Sequence, residues 1–97
     1  PYCTARFSKV INCTGPESNW RKIKSDLIQS LLDDGLIAID DTGLGIACDA
    51  DGSVTGSGGQ RINGLYCIGP MRKAQLWETT ALREIRDQVF QLAKSLN

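Results

Sequence analysis

The sequence predicts one small α/β domain ordered strand, helix, hairpin, strand, helix. Two stretches with helical spacing of apolar residues, about 18–34 and from Thr79 onward, support this fold class. Short β-branched and aromatic runs at 5–13 and 65–68 are typical of strands, and Asp51-Gly52 is a strong hairpin signal. A chain of 97 residues allows a single core, so residues 1–97 are expected to form one domain.

The first predicted strand covers Ala5 to Cys13 and is most apolar near its end, which leads into Thr14-Gly15-Pro16. In open α/β sheets, ligands collect at the carboxyl ends of strands. If this strand and the later strand at 65–68 are parallel neighbours, we expect Thr14-Gly15 and Gly69-Pro70 to lie side by side. The sequence therefore predicts a site where the two turns meet.

The first predicted helix begins at Ser18 or Asn19 and ends at Gly35. Asp33 and Asp34 lie at the negative end of its dipole, so we expect them to face solvent or meet a cation. They are not expected to bind a metal ion. One face of this helix is apolar, comprising Trp20, Ile23, Leu27, Ile28, Leu31 and Leu32.

The middle of the chain predicts a β-hairpin in which 45–49 and 53–55 pair around Asp51-Gly52. The glycine cluster at 56–60 is expected to be a flexible surface loop. Neither this cluster nor Gly43-Leu44-Gly45 follows a convincing strand and opens a helix, so neither is a dinucleotide fingerprint or a phosphate-binding loop.

Leu65 to Ile68 is a short apolar run that predicts a strand buried on both faces. Gly69-Pro70 must end it, because proline lacks a backbone donor and disfavours helix in the residue before it. A strand that enters a helix through a glycine turn is a common way to hold a phosphate or ribityl chain, since the turn and helix start present backbone N–H groups.

Composition excludes several function classes. Eleven basic and eleven acidic residues cancel, and no basic stripe with interleaved aromatics occurs, which argues against nucleic-acid binding. No apolar run approaches the length of a membrane span, and no signal peptide is recognisable. Histidine is missing, so histidine-assisted acyl transfer is excluded within this segment. No metal site is predicted, because there is neither a Cys-x-x-Cys pair nor a histidine.

The four cysteines, Cys3, Cys13, Cys48 and Cys67, are expected to be reduced and structural, because none forms a close pair in sequence and most lie in apolar runs. Cys13 and Cys67 lie on strands predicted to be neighbours, so these two are expected to approach each other.

Two segments carry a resemblance to a known family. Ile68-Gly69-Pro70 followed by 76–81 resembles the last FAD-contacting segment of bacterial FAD/NAD(P)-binding proteins of the two-dinucleotide-binding-domain flavoprotein superfamily. Val10 to Pro16 resembles the second such segment, where a strand ends in a Thr-Gly turn near the flavin nucleotide. Many relatives carry Gly-Asp where this chain has Gly69-Pro70. The glycine-rich fingerprint that opens such proteins is absent here, which suggests the C-terminal piece of a longer protein.

The resemblance implies the C-terminal part of a Rossmann-like FAD-binding domain in an FAD-dependent, NAD(P)H-linked oxidoreductase of the cytoplasm. The chain would supply flavin-contacting backbone to the remainder of its own protein and would be inactive alone. The start at Pro1 favours an excised domain over a natural short protein. No catalytic acid, base or nucleophile is implied. The implied cofactor-binding residues are Thr14, Gly15, Pro16, Ile68, Gly69, Pro70, Trp77, Thr79 and Thr80.

Several alternatives stay open at the sequence level. Trp77 either packs on the sheet or flanks a planar ring such as a flavin or nicotinamide. Thr79 either donates its hydroxyl to the flavin or caps the last helix. Glu78 is expected to complement the helix dipole rather than act as an acid or base. For the whole chain, the rival function is a non-enzymatic small α/β module that binds a partner protein.

Overall fold

A computed structural model describes residues 2–97, and Pro1 lies outside the described residues. The chain is a small α/β protein with two α-helices, a two-stranded sheet and two short 3-10 helices. In chain order the elements are a 3-10 helix Trp20–Lys22, α1 Asp26–Asp33, β1 Ser53–Thr55, β2 Arg61–Tyr66, a 3-10 helix Gly69–Arg72 and α2 Leu82–Leu96.

Residues 5–13 form no strand, so the prediction of a first strand is wrong for this chain. All of residues 2–19 are exposed, including Val10 and Ile11 at 85% and 83%. A strand needs a neighbour to accept and donate its backbone hydrogen bonds, and no described segment pairs with this one. The segment has residues that favour strands but no partner strand, so it is extended and unpaired.

The first helix is divided into two pieces. Asn19 accepts a hydrogen bond from the Arg21 N–H and begins a 3-10 helix that lasts only three residues. The chain then leaves helical geometry, and Ser25 caps α1 through a 3.4 Å bond from the Ile28 N–H. Serine competes well for helix caps, which accounts for a new start inside the predicted helix.

Helix α1 ends as predicted at Gly35, whose φ of +71° is the left-handed geometry that glycine adopts easily. The Leu36 N–H donates to the Leu31 carbonyl at 2.9 Å, and the Gly35 N–H donates to the Leu32 carbonyl at 3.1 Å. This pair of bonds is a Schellman motif. As expected, Asp33 meets a cation, Arg21, at 3.8 Å on the surface.

The predicted hairpin around Asp51-Gly52 is confirmed. Cys48 pairs with Val54, and the Asp49 N–H donates to the Ser53 carbonyl at 2.8 Å. The main sheet nevertheless joins β1 to β2, antiparallel, with Ser53 opposite Tyr66 and Thr55 opposite Arg61.

Residues 56–60 form the turn that joins β1 to β2, and residues 57–60 are exposed, as expected of a surface loop that leads back into the sheet. The Gly56 N–H donates to the Gln60 carbonyl at 2.8 Å. The strand expected at 65–68 runs instead from Arg61 to Tyr66 and is partly exposed rather than buried on both faces. No parallel pair of strands occurs within residues 2–97.

The core lies between α1, the bridged segment 37–48 and the sheet, and each fully buried aliphatic side chain contributes about 1.5–3 kcal/mol before entropy is subtracted. Its buried members are Leu32, Ile37, Ile46, Val54 and Cys67. Helix α2 lies outside this core and leaves Leu82, Val89, Phe90 and Leu96 exposed. In the described part of the chain, no helix combines the length and apolarity needed to cross a bilayer.

Candidate functional site

The turn after β2 is built around Gly69. Its φ is +81°, a left-handed conformation that favours glycine, and Pro70 follows at the start of the 3-10 helix. A Cβ added at Gly69 would have only Ile85 Cδ1 nearby, at 3.9 Å. The backbone of this buried residue therefore has space on the side where other residues carry a side chain.

Gly69 is held by a closed ring of hydrogen bonds. Its N–H donates to Gln88 Oε1 at 2.9 Å, and its carbonyl accepts from the Thr79 hydroxyl at 2.6 Å. Gln88 Nε2 in turn donates to Thr79 Oγ1 at 2.9 Å. Thr79 is fully buried. The ring fixes the Gly69 turn against the segment that precedes α2.

Because of this ring, few hydrogen-bond donors near the Gly69 turn are free to bind a ligand. The Gly69 N–H and the Thr79 proton are both engaged within the chain. Thr79 does not cap α2 either, because the residue at the cap position is Ala81, with no side-chain bond. The first-turn N–H groups of α2, from Leu82 onward, are the ones that lack intrahelical partners.

The turn at Thr14-Gly15-Pro16 lies on the exposed N-terminal segment. Asn12 Oδ1 accepts both the Thr14 N–H, at 3.0 Å, and the Thr14 hydroxyl, at 2.7 Å. Gly15 has a φ of +82°, and a Cβ there would meet nothing within 4 Å. No hydrogen bond among residues 2–97 joins this turn to the Gly69 turn. The expected juxtaposition of the two turns is therefore not present in this chain.

The remaining predicted site residues surround the Gly69 turn with differing exposure. Ile68 is half-buried and precedes the 3-10 helix, whereas Pro70 and Thr80 are exposed. Trp77 is 67% exposed, and Lys73 Nζ lies 4.8 Å from its ring centroid. Trp77 therefore does not pack on the sheet, and its ring is accessible to a cationic or planar partner.

A cavity of about 670 Å³ lies between α2 and the turn at 50–51. Buried Arg72 contributes to one wall, and Leu76 and Leu92 give the cavity apolar surface. Its other charged lining residues are acidic, namely Asp51, Glu78, Glu84 and Asp87. An anionic ligand would meet this excess of carboxylates, so the cavity favours neutral or cationic groups.

No family model, curated protein or solved structure matches the chain.

Sequence reasoning missed Gln88 and Arg72. Gln88 follows Ile85 by three residues on the apolar face of α2, and a polar side chain at that spacing is a signal that it bonds to something buried. Arg72 had no such signal. It is only 4% exposed and donates from Nη2 to the Ala50 carbonyl at 2.9 Å and to Gln75 Oε1 at 2.7 Å.

The cysteines are arranged differently from the prediction. Cys3 and Cys13 are exposed on the N-terminal segment, and Cys67 is buried. The strand pairing that was expected to bring Cys13 near Cys67 does not form, because the segment that carries Cys13 pairs with no strand among residues 2–97. All four are free thiols.

Proposed function

We propose that this chain is the C-terminal part of a Rossmann-like FAD-binding domain in an FAD-dependent, NAD(P)H-linked oxidoreductase of the cytoplasm. The proposal rests on one backbone feature, which is found in both of the turns that resemble flavin-contacting segments. Gly15 and Gly69 both have φ near +80°, with open space where a side chain would project. Such a position lets the backbone approach a ligand closely.

The residues present fit a dinucleotide in part. Open backbone at Gly15 and Gly69 suits close approach. The uncapped start of α2 has free N–H groups and a positive dipole end, but Glu84 in its first turn and the other carboxylates of the adjoining cavity oppose a phosphate there. The hydroxyl of Thr79 does not fit as a direct donor, because its proton goes to the Gly69 carbonyl. In this proposal Thr79 positions the turn.

FAD, when bound, would supply the redox chemistry, accepting hydride from NAD(P)H. The chain's own contribution would be orientation and exclusion of water. Gly69-Pro70 and Thr14-Gly15-Pro16 would line the nucleotide from two sides, with Ile68 and Thr80 flanking the Gly69 turn. Trp77, already exposed, would cover one face of a planar ring.

Two uncovered apolar surfaces support a larger domain around this chain. One consists of Phe7, Val10 and Ile11, and the other of the exposed residues of α2. Large apolar patches on a protein surface mark contacts with other parts of a protein. In the proposal both surfaces are covered by the remainder of the protein's own sheet, and residues 5–13 become a strand when that sheet supplies a neighbour.

The same uncovered surfaces also favour the second candidate, a small α/β module that binds a different protein. Phe90 and Val89, at 57% and 44% exposure, would then form its contact face. This candidate requires no cofactor, so flavin content separates the two functions.

The experiment compares the 97-residue chain with the longest reading frame that contains it. We expect the 97-residue chain to bind FAD weakly or not at all, because only part of the nucleotide surface is present. We expect the longer protein to purify with FAD and to oxidise NADH or NADPH. A folded longer protein without flavin, also after incubation with FAD, would contradict the proposal and favour the interaction module.

A further inference from the structure

The cavity between α2 and the turn at 50–51 is bounded by one face of α2. The lining residues on this helix recur at helical spacing, namely Glu84, Asp87, Gln88, Gln91, Leu92 and Ser95. The most exposed apolar residues of α2, Leu82 and Leu96, do not line it. Its volume of about 670 Å³ lies within the range of about 300–1,000 Å³ that is usual for small-molecule sites. The cavity is therefore large enough for a small ligand and distinct from the exposed apolar surface of the helix.

Arg72 places a positive charge in the wall of this cavity. The residue is 4% exposed, and its Nη2 donates to the Asp49 carbonyl at 3.4 Å, the Ala50 carbonyl at 2.9 Å and Gln75 Oε1 at 2.7 Å. All three acceptors are neutral, and no carboxylate in residues 2–97 forms an ion pair with Arg72. A buried cation without an anion is costly. Arg72 therefore favours a negative group in the cavity, although carboxylates are in excess there.

Ion pairs with neighbouring arginines compensate two of the four carboxylates that line the cavity. Asp51 meets Arg61 at 2.8 Å, and Asp87 meets Arg86 at 3.1 Å. These two carboxylates already have a cation, so they attract a cationic ligand less than a carboxylate without one.

The other two carboxylates, Glu78 and Glu84, form no ion pair within residues 2–97. Glu84 is half-buried, and its Oε2 is a buried atom without a hydrogen-bond partner in this part of the chain. The Nε of Arg72 is likewise buried and without a partner there. These two atoms belong to opposite charges in the wall of one cavity. A ligand that carries both a negative and a positive group compensates both of them.

We propose that this cavity binds a small dibasic amino acid, a molecule with one carboxylate and two ammonium groups. Its carboxylate faces Arg72, and its ammonium groups face Glu78 and Glu84. Its methylene chain lies against Leu76 and Leu92, which give the cavity apolar surface. The site needs no flavin and is independent of the function proposed above.

Other small molecules match the charges of the cavity less well. A simple anion meets the excess of carboxylates, and a diamine leaves the buried charge of Arg72 without an anion. An apolar molecule leaves all three charges uncompensated. The affinity for a dibasic amino acid should therefore depend on each of its three charged groups.

The test measures binding of lysine to the 97-residue chain by isothermal titration calorimetry at pH 7 and low salt, where exposed charges are screened least. Three analogues each lack one charged group. Cadaverine lacks the carboxylate, 6-aminohexanoate lacks the α-ammonium, and norleucine lacks the ε-ammonium. Cadaverine should bind roughly tenfold more weakly than lysine, because the partner of the carboxylate is buried. The other two should bind about two- to fivefold more weakly, since Glu78 and Glu84 are more exposed than Arg72.

Glu84→Gln removes a carboxylate from the cavity and keeps the shape of the side chain. It should weaken lysine binding about two- to fivefold. Asp34→Asn is the matched control, because it changes the net charge equally at an exposed carboxylate that does not line the cavity. The control should leave the affinity for lysine unchanged.

Arg72→Gln tests the carboxylate end of the site. It should weaken lysine binding to the level of cadaverine without weakening the binding of cadaverine itself. Circular dichroism establishes whether this variant is folded, since Arg72 also bonds to the turn at 49–50. The comparison of lysine with cadaverine on the unaltered chain tests the same contact if the variant does not fold.

Three results would each overturn the proposal. The first is an absence of binding at millimolar lysine. The second is lysine that binds no more tightly than cadaverine, because the ligand's carboxylate would then contribute nothing. The third is an equal loss of affinity in Glu84→Gln and Asp34→Asn, which would show that lysine responds to the net charge of the chain and not to this cavity.

Discussion

Gln88 accepts the backbone N–H of Gly69 at 2.9 Å, across nineteen positions of the chain. The bond joins a glycine turn to a helix that otherwise lies outside the core. Its counterpart, from Gln88 Nε2 to Thr79 Oγ1, closes the ring on the Thr79 side. One side chain on α2 therefore holds both the Gly69 turn and Thr79 in place.

Gln88→Leu should destabilise the protein by about 1–3 kcal/mol, because it leaves the N–H of a buried glycine without an acceptor. Urea-induced unfolding, monitored by circular dichroism, measures this loss of stability. Gln91→Leu is the matched control, since Gln91 lies on the same helix, is exposed and has no side-chain hydrogen bond in the described structure. Equal urea midpoints for Gln88→Leu and Gln91→Leu would contradict the hydrogen-bonded ring around Gly69.

Thr79→Val tests the assignment of Thr79 as a positioning residue. Valine keeps the shape and removes the hydroxyl, so the Gly69 carbonyl and Gln88 Nε2 both lose a partner. We expect a loss of about 1–3 kcal/mol in unfolding free energy. In the flavin-containing longer protein, the flavin reduction potential should stay unchanged. A shifted potential with unaltered stability would instead place the hydroxyl at the flavin.

Gly69→Ala tests whether the Gly69 turn contacts the cofactor, provided that the effect of backbone strain is measured separately. A non-glycine residue in left-handed geometry costs about 1–2 kcal/mol. Gly64→Ala is the matched control, because Gly64 has φ +78° against +81° for Gly69 and open space around its would-be Cβ. Both variants should lose similar stability, whereas only Gly69→Ala should reduce the FAD content of the longer protein. Equal FAD content in the two would count against the Gly69 turn as a cofactor contact.

Asp51 should make the hairpin sensitive to acid. The Ser53 N–H donates to its carboxylate at 2.9 Å and lowers its pKa from 3.8, with Arg61 at 2.8 Å contributing further. Because the folded pKa is the lower one, this stabilisation is complete above the unfolded pKa and is lost as the pH falls through the folded value.

The corresponding measurement follows urea midpoints of wild type and Asp51→Asn against pH. The difference should be largest above pH 3.8 and should shrink below it. Asp41→Asn, at an exposed carboxylate with no hydrogen bond in the described structure, is the control for removing a surface charge. A difference that grows on acidification would have the wrong sign and would contradict the assignment.

Local chemistry made part of the fold predictable. The Asp-Gly hairpin and the glycine stop after α1 depend on residues close in sequence, and both formed where the sequence predicted. The strand at 5–13 failed because pairing depends on a distant partner. The helix from Trp20 broke at Ser25 because a local cap competed with the apolar periodicity.

The site was less predictable than the fold. The Gly69 turn was identified from its glycine and proline, but its two bonding partners lie ten and nineteen residues away. The burial of Arg72 likewise depends on a distant segment, because its Nη2 donates to the Ala50 carbonyl at 2.9 Å, twenty-two residues away. Residue types show what each group can do, whereas the hydrogen bonds show which groups are already engaged.

The backbone packing around Gly45 affects how conservation of this glycine among homologous sequences should be interpreted. The Ile46 N–H donates to the Met71 carbonyl at 2.9 Å, and a side chain on Gly45 would collide with that same carbonyl oxygen. Substitution there would push the bridged segment off the 3-10 helix that begins at Gly69. In any set of homologous sequences this position should remain glycine for reasons of backbone packing, so its invariance would be no sign that Gly-Leu-Gly holds a ligand.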